Sequence, residues 1–283
     1  SPSLPRYSAG KLDLRRFGKK PVVETHYTDK MAGVTTPLVW KGHLRDMKRV
    51  FHPDKMGYRK ALGNAATMRD LRLSGRLPES VVDVAAMYAN ASRRVHSSVV
   101  DKRFPLLVDW MRGDRDPERL KEAAKGLWPH TARDWTRYQK TKQLFLGAMQ
   151  EHPHDGRAFR RSLAEKGFEG LGPVKQSFAA GLLGYGDVAT IDTRLLDYLL
   201  HHPGVKDERH VNALNSAVAK KIEAYPALYE LLESHLAKQP AHHMAVAALR
   251  EAALPPELSL MGAQWLGFDT IGRSDTTHRE LFG

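Results

Sequence analysis

Two glycines one residue apart, Gly170 and Gly172, stand between two helical patterns, and a carboxylate, Asp192, leads the apolar run that follows. No other stretch restricts the local fold as tightly. Arg157 to Lys166 has the spacing of a short helix, with Ala158, Phe159, Ser162 and Leu163 on one face. Gly167 stands where that helix must end, since glycine takes the left-handed backbone that closes a last turn. Gly170 and Gly172 let the chain turn tightly and approach another backbone closely. Pro173 suits the first position of a new helix, where its missing N–H is not needed. Val174, Phe178 and Leu182 then recur at helical spacing, which predicts a buried face. Amides exposed at a helix N-terminus favour an anion such as phosphate. The expected unit is a helix-hairpin-helix spanning 157–183.

The segment Glu169-Gly170-Leu171-Gly172-Pro173-Val174-Lys175-Gln176, with Ile191-Asp192-Thr193-Arg194 after it, resembles the helix-hairpin-helix (HhH-GPD) DNA glycosylase superfamily. That family includes endonuclease III and the adenine and 8-oxoguanine glycosylases. Its pattern is Leu-Pro-Gly-x-Gly-x-Lys-Thr-Ala, a helix, then Val-Asp-Thr-His. The close match covers residues 157 to 200. The resemblance implies a phosphate-gripping hairpin at Gly170, Leu171, Gly172, Val174 and Lys175, and a catalytic carboxylate at Asp192. It places Thr193 and Arg194 beside the pocket, and it implies a monovalent cation held by hairpin carbonyls. Two positions depart from the pattern. Val174 occupies the slot of the lysine found in lyase-competent relatives, and Lys175 follows one residue later. Successive helical residues point about 100° apart, so Lys175 is expected to face elsewhere. Arg194 stands where many relatives carry histidine.

Charge agrees with a DNA partner. The 283 residues carry a formal net charge of +12, a balance that favours phosphate backbones or other polyanions. The chain has no cysteine, which excludes disulfides and the four-cysteine iron–sulfur cluster of some resembling enzymes. It contains no run of about 18 apolar residues, so no membrane span is expected. The expected setting is the cytoplasm of a bacterial or phage-infected cell, and the expected state is a monomer. Neither His-Glu-x-x-His nor a carboxylate cluster with ligand spacing occurs among the 14 histidines and the acids, so no metal is predicted.

Three regions are expected, and the fold class is mainly α. Residues 1–77 read as a basic N-terminal extension, with a short strand at Val22-Val23-Glu24-Thr25-His26-Tyr27 and a basic loop around His52-Pro53-Asp54-Lys55. Residues 78–266 read as a helical, glycosylase-like body, and 267–283 as an irregular tail. Trp128, Trp135, Tyr138 and Phe145 fall on or near one helical stretch. Trp135 and Tyr138 are candidate pocket residues for an extruded base, although with Phe145 they equally fit core spacing. Trp265 reads as core.

The resemblance implies a DNA base-acting enzyme. Its first form is a monofunctional glycosylase that flips a nucleotide and cleaves the N-glycosidic bond, Asp192 stabilising the charge left on the sugar. With Val174 in the lysine slot, water is the expected nucleophile. A second form is a transferase on the same scaffold. Residues 172–184 and Ile191-Asp192-Thr193 look like glycosylase-fold proteins of large phages linked to thymidine hypermodification. There an amino acid or polyamine co-substrate joins an activated 5-hydroxymethyl pyrimidine in DNA, and Asp192 would be the base. A third form is a catalytically silent DNA-binding module in which Asp192 only caps its helix.

Overall fold

The computed structural model describes residues 56–93, 95, 97–113, 115–192, 195, 196, 199 and 226–269. Every regular element among them is helical: α1 (Met56–Leu73), α2 (Glu79–Ala91), α3 (Ser97–Arg112), α4 (Pro117–Ala123), α5 (Thr131–Glu151), α6 (Gly156–Glu165), α7 (Pro173–Leu182), α8 (Pro226–Leu236), α9 (Pro240–Glu251), a 3-10 turn (Pro256–Leu258) and α10 (Ser259–Asp269). The chain is therefore mainly α. No helix among the described residues is long and apolar enough to cross a membrane.

Local signals account for the helix ends around the hairpin. Asp155 caps α6 by accepting from the Ala158 amide at 2.9 Å. A Schellman turn closes the same helix: Gly167 has φ +75°, and the Phe168 amide donates to the Leu163 carbonyl at 3.1 Å. Pro173 opens α7 as its first residue, behind an extended Gly172.

α7 sits at the centre, touching α1, α2 and α6. Its Gln176, Ser177, Ala179, Ala180, Gly181 and Leu182 are buried, while Val174 and Phe178 pack against the core from a partly buried position. Burial thus extends well beyond the predicted Val174–Phe178–Leu182 face. α9 and α10 pack along each other, and both meet the 3-10 turn.

The helical body starts earlier than residue 78. In α1, Leu62, Ala65, Ala66, Met68 and Leu71 are buried in the same core. The run is hard to read because basic residues and Gly57 and Gly63 interrupt it. α1 is fastened to the turn after α7. Arg72 donates from Nε to the Leu183 carbonyl at 3.0 Å and from Nη1 to the Pro153 carbonyl, and its guanidinium lies 3.6 Å from the Tyr185 ring centre. Gly184, with φ +86°, lies against the Arg69 backbone, leaving no room for a Cβ. The strand expected at 22–27 and the loop at 52–55 fall outside the described residues, as do 270–283.

Candidate active site

The hairpin is seated on α5. The backbone of Gly170 lies so close to that helix that a Cβ there would come within 2.7 Å of the Asp134 carbonyl oxygen and the Tyr138 amide. Its φ of +102° also suits only glycine. Leu171 is buried, and its carbonyl accepts from Gln176 Nε2 at 2.8 Å. Gly172 is exposed at the N-cap of α7, with nothing within 4 Å of a Cβ built there. The Gln176 amide closes the first helical hydrogen bond on the Gly172 carbonyl, so the Val174 and Lys175 amides precede the helical ladder. Two loop carbonyls meet protein donors: that of Glu169 accepts from Thr141 Oγ1 at 3.2 Å, and that of Leu171 from Gln176.

Lys175 follows Val174 on α7. Its side chain turns into the protein toward the end of α2, where Nζ donates to Ser92 Oγ at 3.0 Å and lies 5.4 Å from the Phe178 ring centre. Burial pulls its amine down to about 8, the Asp192 carboxylate opposes that fall, and the Arg93 guanidinium adds to it. Lysine, aspartate and arginine therefore share one electrostatic neighbourhood. The physical reason is the depth of α7: with protein on most sides, a residue about 100° round from Val174 still points inward.

Asp192 begins a helical turn. Its Oδ1 accepts from the Leu195 amide at 2.8 Å and its carbonyl from the Leu196 amide at 3.0 Å. The segment leading to it is held by a buried polar cluster. Arg160 donates to Glu233 through both terminal nitrogens, at 2.5 and 3.0 Å, and to Ser177 Oγ at 3.1 Å. Glu233 Oε2 in turn accepts from the Ala189 amide at 2.8 Å. The Tyr229 hydroxyl donates to the Ala189 carbonyl at 2.6 Å and accepts from the Ile191 amide at 3.0 Å. Burial raises the Glu233 carboxyl, and the Arg160 hydrogen bonds pull it back. The cluster joins α6, α7 and α8 and fixes the backbone one residue before Asp192.

The other sequence-predicted residues divide. Trp135 and Tyr138 are core, 4% and 1% exposed, rather than pocket lining. Tyr138 is tied down further by donating its hydroxyl to Asp83 Oδ1 at 3.0 Å, and Trp135 packs edge-on to Trp110. Thr193 and Arg194 lie outside the described residues. Among the described residues, no group of three His, Asp or Glu side chains could hold a metal ion. No family model, curated protein or solved structure matches this chain. An open cavity of about 350 Å³ between α3 and α4, lined by Arg103, Trp110 and Glu122 among others, shares no residue with the Lys175 site. Ser92 and Arg93 were not legible as site residues, because nothing local marks them. Arg93 carries one further clue, its guanidinium 4.8 Å from the Trp128 ring centre.

Proposed function

We propose that this chain is a DNA base-acting enzyme that cleaves the bond between a flipped base and its deoxyribose. The observation that carries the reading is the placement of the Lys175 amine, lowered to about 8, in the electrostatic reach of Asp192 behind a hairpin able to grip phosphate. As the base departs, positive charge develops on the sugar, and the Asp192 carboxylate stabilises it. With a value near 8, roughly one lysine in ten is uncharged at pH 7, against about one in a few thousand for an ordinary lysine. The neutral amine attacks the sugar carbon that the base leaves, and an amine in this position is favoured over the water expected from the sequence register. Incubating the protein with damaged and modified duplexes under borohydride tests this directly. The expected result is a covalent protein–DNA adduct and a free base by mass spectrometry, both lost in Lys175→Ala. Release of free base with no adduct would return the chemistry to water, and no released base from any substrate would remove the glycosylase reading.

One observation favours the transferase as second reading. Arg93 places a second cation beside Lys175, which suits an anionic leaving group such as diphosphate better than a neutral base. A heavier nucleoside that forms only with an amine donor, from DNA bearing an activated 5-hydroxymethyl pyrimidine, would select it.

A further inference from the structure

A cationic band runs from the Lys175 site along the outer face of α5 to the hairpin. Its links are side-chain contacts. Arg93 stacks over Trp128, the Trp128 ring N–H donates to Asp134 Oδ2 at 3.0 Å, and Arg133 Nε donates to Asp134 Oδ1 at 3.1 Å. From there the exposed face of α5 carries Arg133, Arg137 and Lys140. Of the two acids of α5, the buried Asp134 pairs with Arg133 at 3.1 Å and Glu151 closes the far end of the helix, so neither offsets Arg137 and Lys140. Neither Arg137 nor Lys140 has an ion-pair partner among the described residues.

The band's position relative to the hairpin follows from helix geometry. Gly170 lies against the backbone of Asp134 and Tyr138, and the Glu169 amide donates to Thr141 Oγ1 at 3.0 Å. At about 100° per residue, Asp134, Tyr138 and Thr141 form the arc facing the hairpin, Arg137 lies at the edge of that arc, and Arg133 and Lys140 occupy the adjoining strip. Seven residues of helix separate the outer two, about 10 Å, which is roughly three nucleotide rises along one DNA strand. Glu169 is exposed on the hairpin itself.

We infer that Arg137 and Lys140, in line with Arg133, hold phosphates of the strand that the hairpin also grips, extending the footprint along α5. The inference rests on the DNA reading above. Contacts of this kind release counterions, so each one lost flattens the plot of log affinity against log salt by about 0.9. Fluorescence anisotropy with a short labelled duplex, titrated across KCl, measures that slope. Arg137→Ala with Lys140→Ala should lower it by about 1.8, with Tm unchanged because both side chains are exposed. Lys238→Ala with Arg250→Ala removes the same charge from exposed positions on other elements and should leave the slope at the wild-type value. A wild-type slope in the α5 variant, or an equal fall in both variants, overturns the inference while leaving the proposed function standing. A wild-type protein that binds no duplex at any salt overturns both.

Discussion

Lys175 Nζ donates to Ser92 Oγ at 3.0 Å, and the Ser92 hydroxyl donates in turn to the Ala89 carbonyl at 2.8 Å. Ser92 therefore presents only lone pairs to the lysine, and its position at the end of α2 sets where the amine sits. Accepting from the ammonium favours the charged form. Removing the hydroxyl should lower the lysine further, since Arg93 also disfavours the charge and only Asp192 supports it. The acid limb of kcat/KM against pH, expected near 8 in the wild type, should move to lower pH in Ser92→Ala. A limb that stays in place would make Ser92 a bystander.

The same lysine makes a stability prediction. Its folded value lies below the ordinary lysine range, so between about 8 and about 10.4 the unfolded chain binds more protons. Wild-type stability should rise with pH across that window, and this group should cost most below it. Lys175→Met keeps the length and removes the charge. It should be more stable than the wild type at pH 7 in urea melts, with the gap narrowing toward pH 10. A less stable variant at pH 7 would mean that the buried ammonium is well compensated.

Asp192 has two separable jobs. As a cap, it accepts from the Leu195 amide, and asparagine keeps most of that ability. As a charge, it supports the Lys175 ammonium and, under the proposed function, the sugar cation. Asp192→Asn should lose turnover by about 10²–10³-fold, the scale of losing one preorganised electrostatic partner, while stability changes by less than about 1 kcal/mol. Duplex affinity by anisotropy should stay within a few-fold. Full turnover in this variant would leave only the cap and restore the silent-module reading.

How far the sequence reached follows from the range of each interaction. The capping Asp155, the stop at Gly167 and the start at Pro173 act within a few residues, so a local reading found the hairpin to within one residue at the predicted Arg157 start. Ser92 is 83 residues from Lys175, and Glu233 is 73 from Arg160, so packing alone creates those pairs. What Lys175 meets was not legible for a related reason. Family register assigns one inward slot on α7, yet the helix is buried on most sides and has more than one. α1 escaped notice because its apolar positions are diluted by charge and glycine, while its fit to Gly184 is a tertiary fact.

The Arg160–Glu233 pair should be costly to break from one side. Glu233 is fully buried, and it serves Arg160, the Ala189 amide and, at 3.5 Å, Arg157. Glu233→Ala leaves the buried guanidinium without its counter-ion, a loss of about 3–5 kcal/mol. Because the Ala189–Ile191 segment also loses its anchor, turnover should fall even where the variant remains folded. Urea melts and activity at low temperature separate the two effects. Stability within about 1 kcal/mol of wild type would show that Tyr229 alone holds the segment.

The two glycines should respond differently to the same substitution. In Gly170→Ala the new methyl would press on the α5 backbone at 2.7 Å, and φ +102° is itself unfavourable for alanine. Backbone cannot yield as a flexible side chain can, so a loss of more than about 3 kcal/mol is expected, with the hairpin displaced from α5. Gly172 has φ −75° and open space where the methyl would go. Gly172→Ala should cost about 1 kcal/mol or less, since alanine is the poorer N-cap. If the α7 N-terminus receives a phosphate, that methyl should still weaken duplex affinity by standing between the amides and the anion. Parallel melts and anisotropy on both variants check the contrast. An unaltered affinity in Gly172→Ala would move the phosphate away from the helix end, and a stable Gly170→Ala would mean the hairpin sits farther from α5 than its backbone contact indicates.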